Sequence, residues 1–310
     1  MSHIIDLNDR ARATGFMLLG IAISLRPYQW IKNVLVFAAL FFSLSFLNLE
    51  AVILSLKAFA AFCLVSSGVY LMNDIRDLEA DRLHPEKRNR PIAAGRVPVT
   101  VALTALAAFL ASGLALGYSV NTGLLMVLLS YFIINVGYSF GLKRVVLLDV
   151  MIVAFGFLLR AVGGAVAIRV DVSPWLFICT LLLALLLVFG KRRHELASLK
   201  AGARRHRKSL ADYTLPFIDG LMFVSAGAAL VTYSLYTMAD ETAARFGTQW
   251  LALTTPMVIY GIFRYLYLIY IKQSGGDPTW MMLKDKPFVV NGLLWFLAVL
   301  AILFFSRTSA

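Results

Sequence analysis

The sequence predicts an all-α integral membrane protein with nine transmembrane helices, and three observations predict it. Of 310 residues, 60% are hydrophobic and only 15% charged, where a soluble domain carries about 25% charged. The apolar residues fall in long runs, several approaching the ~20 residues that a helix needs to cross ~30 Å of hydrocarbon. The Lys and Arg residues gather in alternate connections between those runs. This composition excludes an ordinary soluble enzyme, a disordered chain and a nucleic-acid-binding domain. Inside lipid each backbone N–H and C=O must be bonded within its own segment, so every run reads as helix.

In chain order the runs are 31–48, 52–72, 99–118, 121–140, 146–168, 175–190, 216–238, 248–271 and 288–306. The shorter ones borrow residues from their flanks. Tyr28, Trp30 and Trp175 stand at run ends, as an aromatic belt requires. Gly163-Gly164 in the fifth run, and small residues in the third and seventh, predict close helix packing. The long connections 73–98 and 191–215 follow the second and sixth runs, which suggests a four-helix unit used twice with a ninth helix added. Residues 1–15 read as a flexible cytoplasmic tail, with no cleaved signal peptide. The whole chain, 1–310, reads as one integral-membrane catalytic domain. Cys63 and Cys179 both sit in apolar runs and form no disulfide framework or metal-ligand spacing.

Nine crossings put the two termini on opposite sides. With the N-terminus cytoplasmic, 23 of the 29 Lys and Arg lie inside and four outside, namely Lys57, Arg169, Arg245 and Arg307. Arg160 and Arg264 lie within spans. The net charge of +12 is therefore topological and calls for no nucleic acid. The chemistry is expected on the cytoplasmic face, and the location expected is the plasma membrane. Segment 200–209 is basic enough to rest on anionic lipid heads, and His84, His194 and His206 read as solvated.

After the second run stands Asn73-Asp74-Ile75-Arg76-Asp77-Leu78-Glu79-Ala80-Asp81-Arg82. If the helix continues, Asn73, Asp77 and Asp81 share one face at i, i+4, i+8, with Asp74 beside them. Crowded carboxylates repel unless a cation sits among them, and hard oxygen donors suit Mg²⁺ together with substrate phosphate oxygens. The alternative is a solvated helix end with ion pairs to Arg76 and Arg82. Lys87, Arg88 and Arg90 follow at once, so a polyphosphate would meet metal on one side and guanidinium groups on the other.

The string N-D-x-x-D-x-x-x-D followed by R-x-R-P-I-x-x-G, with Arg88 its first Arg, resembles the first signature of the UbiA superfamily of intramembrane prenyltransferases. That resemblance implies nine helices around a lipid-accessible cavity with cytoplasmic cap loops. It also implies Mg²⁺ and donor diphosphate at Asn73, Asp74, Asp77 and Asp81, the last three being catalytic. Most members carry a second D-x-x-x-D after the sixth helix. Here that place reads Lys191-Arg192-Arg193-His194-Glu195, which favours cationic binding of a phosphate over a second metal, or else a positive-inside anchor.

The string Phe189 to Leu196 resembles the polyprenyl-phosphate phosphoribosyltransferase branch. So do Leu25 to Asn33, Tyr138 to Lys143, Leu159 to Gly164, Arg207 to Leu210 with Tyr213-Thr214, and Arg264-Tyr265. The likeness covers about residues 24 to 296. It implies Mg²⁺-dependent transfer of 5-phosphoribose from 5-phosphoribosyl diphosphate to a polyprenyl (decaprenyl) phosphate, for arabinofuranose donors and cell-wall arabinan.

Arg26, Lys32, Lys87, Arg88, Arg90, Lys143, Lys191, Arg192 and Arg193 are the candidate phosphate ligands. Tyr138, Asp149, Arg160 and Glu195 are further candidates. Asp149 contacts ribose or pairs with Lys143 or Arg144. Arg160 is either a functional intramembrane charge or bonded internally to backbone carbonyls. Rival readings are prenyl transfer to a small acceptor and, in another class, transport of a lipid-linked sugar.

Overall fold

The computed structural model describes residues 15–198, 212–272 and 278–308, and every regular element among them is helical. The predicted tail, segment 200–209 with His206, and the string Arg207 to Leu210 lie outside the described residues, apart from Gly15. Among the described residues eight helices are long and apolar enough to cross a membrane, matching the second to ninth predicted runs. The chain is a multi-pass membrane protein.

The first predicted run, 31–48, is not one helix. Residues 15–24 form a helix, α1. The chain then turns at Arg26, in the left-handed region at φ 53°, into a 3₁₀ stretch Pro27–Phe37. A short α2 (Ala38–Phe42) and a 3₁₀ turn Ser45–Leu47 follow. Pro27 supplies the preset φ that favours a new helical start after the break.

The chain divides into two compact units, residues 1–142 with 159–172, and residues 143–158 with 173–310. In the first unit α3 (Leu49–Arg76) is the central helix. The Asn48 side chain caps it, accepting from Glu50 N at 2.9 Å and Ala51 N at 3.3 Å. Its 28 residues span about 42 Å at 1.5 Å per residue, so one end must outrun the hydrocarbon.

The chain continues through a short α4 (Leu78–Arg82) and a 3₁₀ turn Lys87–Asn89 to α5 (Val99–Val120) and α6 (Thr122–Phe140). Phe62, Val65, Leu124 and Leu128 are fully buried among them. Gly113 lets α5 approach α3, since a Cβ there would come within 2.7 Å of Val65 Cγ2.

After the 3₁₀ turn Leu142–Arg144 comes α7 (Leu148–Ala167), which gives its first half to the second unit and its second half to the first. The second unit adds α8 (Pro174–Ser198), α9 (Leu215–Met238), α10 (Asp240–Phe246) and a 3₁₀ turn Trp250–Thr254. It ends with α11 (Thr255–Tyr270), α12 (Pro278–Lys284) and α13 (Lys286–Thr308). Val150, Leu186, Ile218, Met222, Tyr265 and Leu268 form its core.

The small residues of α9 divide in role. Ala226 and Ala229 are buried, but Gly220 and Gly227 face open space and bring no helix close. Arg264 chelates Asp285 through Nε at 3.0 Å and Nη2 at 2.8 Å. Asp285 in turn accepts from Phe288 N at 2.9 Å and so caps α13. Arg264 thereby ties α11 to the start of the last helix.

Candidate active site

The last turn of α3 carries the start of the acidic string, and the helix is interrupted at Asp77 (φ −95°, ψ 11°) before α4, with two backbone hydrogen bonds bridging the junction. Asp77 N donates to Asn73 O at 2.9 Å, and Asp81 N donates to Asp77 O at 2.8 Å. The predicted continuous helix through Asp81 is therefore replaced by two helices joined at Asp77. Asp77, half-buried, is both the C-cap of α3 and the N-cap of α4.

Asp74 and Asp81 are only 2% and 3% exposed, and they are brought together by Arg90. One guanidinium nitrogen, Nη1, donates to Asp74 Oδ1 at 3.1 Å and to Asp81 Oδ2 at 2.6 Å. Arg26 Nη2 donates to the same Asp74 oxygen at 2.5 Å, and its guanidinium lies 5.0 Å over the Tyr70 ring. Of the local ion pairs to Arg76 and Arg82 that the alternative reading expects, one forms: Arg82 pairs with exposed Glu79 at 3.0 Å, while Arg76 lies over the Phe140 ring.

Asn73 Oδ1 accepts from the Ser139 hydroxyl of α6. Lys87 and Arg88 are exposed on the 3₁₀ turn beyond. His84 is not merely solvated: its Nδ1 accepts from Glu86 N at 3.2 Å and Lys87 N at 3.3 Å, shaping that turn.

Asn73, Asp74, Asp77 and Asp81 offer only oxygen donors, the chemistry that a hard divalent cation requires. Asp74 and Asp81 are close enough to share one cationic nitrogen. Among the described residues no three His, Cys, Asp or Glu side chains already converge as a metal cage. The arrangement is a pair of buried carboxylates gripped by two guanidinium groups.

In the second unit the predicted basic loop is the end of a helix. Its sequence continues α8 to Ser198, so Lys191 to Glu195 hold fixed helical positions. Arg192 is 3% exposed. It donates from Nε to Asp149 Oδ2 at 3.0 Å and from Nη1 to Glu195 Oε2 at 2.7 Å. Asp149, fully buried, also accepts from the Tyr213 hydroxyl at 3.0 Å. That hydroxyl receives Leu147 N–H at 2.7 Å, at a residue with φ 66°. Burial pushes the Tyr213 phenol up to about 12, so it stays protonated and keeps donating.

Arg193 Nε donates to Asp219 Oδ1 at 2.7 Å, and the Tyr270 hydroxyl donates to the same oxygen at 2.9 Å. Two of the three basic residues are therefore held by internal carboxylates, while Lys191 is exposed. Lys32, Tyr138 and Lys143 are half-buried.

Arg160 bonds side chains of other helices: Nε to Asn33 Oδ1 at 2.6 Å and Nη2 to the Tyr131 hydroxyl at 2.9 Å. Arg160 is therefore bonded internally, with Asn33 and Tyr131 among its partners. Asn33, Tyr131, Tyr213 and Asp219 were not singled out for a role from the sequence. The available signal was a polar residue inside an apolar run, most legible at Asn33 and Asp219.

The described residues make a multi-pass helical membrane protein with carboxylates and guanidinium groups clustered at a helix end. The family model of the UbiA prenyltransferase family matches residues 34–286, and the chain belongs to that family. It is a transferase.

The chain is 34% identical over 302 residues to a protein of Mycolicibacterium smegmatis named decaprenyl-phosphate phosphoribosyltransferase, covering 94% of each. It is 32% identical over 290 residues to a protein of the same name from Mycobacterium tuberculosis, covering 91% of this chain and 94% of that one. The solved structure of a UbiA homolog from Archaeoglobus fulgidus bound to GPP and Mg²⁺ has a TM-score of 0.69 at 19% identity. It covers 92% of this chain and 99% of that chain, which establishes the shared fold.

Proposed function

We propose that the chain transfers 5-phosphoribose from 5-phosphoribosyl diphosphate to a polyprenyl phosphate, releasing diphosphate. The product would be a precursor of arabinofuranose donors for cell-wall arabinan. The observation that carries this reading is the basic string Lys191 to Glu195 in place of a second D-x-x-x-D at the end of α8, where Arg192 already binds both Glu195 and Asp149. A lipid bringing one phosphate needs cations there, whereas a second acidic pair would hold a second metal. The names of the relatives point the same way. Prenyl transfer to a small acceptor remains the rival within the family.

Asn73, Asp74, Asp77 and Asp81 would hold Mg²⁺, which when bound neutralises charge on the diphosphate leaving group. The chain's own residues do the rest. Arg26 and Arg90, already facing Asp74, grip donor phosphate oxygens, with Lys87 and Arg88 at the rim. Lys32, Lys143 and Lys191 are the candidates for the lipid phosphate.

A lipid phosphate oxygen attacks C1 of the ribose as the C1–O bond to diphosphate breaks, with inversion at C1. The phosphate monoester is already anionic at neutral pH, so positioning and charge stabilisation suffice without a general base. We further propose a cytoplasmic N-terminus in the plasma membrane, with the broken stretch 15–47 making a ninth crossing.

The test supplies membranes with labelled 5-phosphoribosyl diphosphate and polyprenyl phosphate. Label entering the organic phase as a lipid-linked pentose phosphate supports the reading. Label crossing the membrane unchanged indicates transport, and product formed only from a prenyl diphosphate indicates the rival.

A further inference from the structure

We propose that Arg160 is a positioning residue for the donor site, acting through Asn33 on the 3₁₀ stretch that begins at Arg26. This rests on the reading of Asp74 and its guanidinium partners as the donor site. The starting observation is an anomaly of local structure. Pro27–Phe37 runs as 3₁₀ helix for 11 residues, whereas such runs rarely exceed three or four because their hydrogen bonds are poorly aligned. Its entry residue, Arg26, is held in the left-handed region, which is costly for a residue with a Cβ. Neither feature persists without support from outside the segment.

The support comes from neighbouring helices of the same unit. Near its start, Trp30 Nε1 donates to Ser67 Oγ at 3.1 Å, and Ser67 Oγ donates to the carbonyl of Leu25 at 3.0 Å. In its middle, Asn33 is 1% exposed and donates through Nδ2 to Cys63 Sγ at 3.2 Å. Its Oδ1 receives Arg160 Nε at 2.6 Å.

Arg160 is anchored in turn by the Tyr131 hydroxyl and lies 4.8 Å from that ring's centroid. One turn further along α7, Gly164 faces the carbonyl of Val36, so closely that a Cβ would overlap it. The strings Leu25 to Asn33 and Leu159 to Gly164, far apart in sequence, are therefore one contact. Arg160 and Gly164 press the 3₁₀ stretch onto α3, and at its other end Arg26 meets Asp74 at 2.5 Å. The buried charge fixes where the donor-binding guanidinium stands.

The experiment uses full-length protein carrying Cys179→Ser, which leaves Cys63 as the only thiol. Arg160→Gln and Asn33→Ala are compared with the parent in two measurements. In the first, the parent's Cys63 labels slowly with a small membrane-permeant thiol reagent, and each variant labels about tenfold faster because the segment over it opens more often. In the second, KM for 5-phosphoribosyl diphosphate rises about tenfold while KM for polyprenyl phosphate stays within about twofold.

Unchanged labelling in both variants would overturn the proposal, as would a fall in kcat with both KM values unmoved, the pattern of a smaller folded fraction. The labelling arm needs no substrate. It therefore tests whether Arg160 and Asn33 hold the segment down even where the enzyme proves to use another donor, while the KM arm tests the positioning of the donor site.

Discussion

Asp77 stands at the junction of α3 and α4, bridging the turn that carries Asp74 and the turn that carries Asp81. Replacing it by Asn keeps the cap geometry and removes one charge from the proposed cation site. Asp77→Asn should lower transfer at least about a hundredfold while membrane insertion is unchanged. Product yield against the amount of protein in the membrane fraction checks this, and near-normal turnover would remove Asp77 from the site. Arg192 predicts a different phenotype. It neutralises the fully buried Asp149, so Arg192→Gln strands a carboxylate and should cost about 3–5 kcal/mol of stability. Arg192→Gln with Asp149→Asn should recover much of that loss in detergent thermal melts. A stable single variant with a raised KM for the lipid would instead make Arg192 a phosphate ligand. The carboxylates and the cationic strings were legible because charge is conspicuous in an apolar chain. Which cation meets which carboxylate was not, since Arg90 reaches Asp74 across 16 residues and Arg192 reaches Asp149 across 43.

At the scale of elements, hydropathy located the second to ninth runs because lipid demands long apolar stretches whatever the tertiary contacts. It failed at the first. The run 31–48 is apolar enough to read as a span, yet the left-handed Arg26 and the 3₁₀ stretch depend on Asn33, Ser67 and Gly164, which no local pattern reveals. The end of α8 was read as loop for a related reason. Its basic residues look solvated, but two are neutralised by carboxylates from elsewhere in the chain. The start of α13 offers a test by pH. The Arg264 guanidinium, donating to Asp285, holds that carboxyl below its ordinary value of 3.8. The stabilisation from this pair is therefore full above the ordinary value and disappears as pH falls through the folded one. Asp285→Asn should lower the melting midpoint at neutral pH, and the gap to the parent should close as the medium is acidified past the ordinary carboxylate range and through the lowered folded-state value. A gap that persisted there would mean that Asp285 acts through packing instead.

For the molecule as a whole, the excess of Lys and Arg on alternate connections sets orientation, and orientation sets which pool of substrate the enzyme meets. Single cysteines placed at exposed Arg88 and at exposed Thr100, on a background lacking Cys63 and Cys179, should both resist an impermeant thiol reagent added outside intact cells. A cysteine at exposed Trp250 should react. The reverse pattern would invert the proposed topology. The most direct measurement of the account is made on purified protein in detergent, with labelled 5-phosphoribosyl diphosphate, polyprenyl phosphate and a controlled divalent cation. A lipid-linked pentose phosphate and an equal amount of free diphosphate should form with Mg²⁺, cease after complete chelation, and return when Mg²⁺ is restored. Undiminished synthesis in the chelated sample would contradict the assignment of Asp74, Asp77 and Asp81.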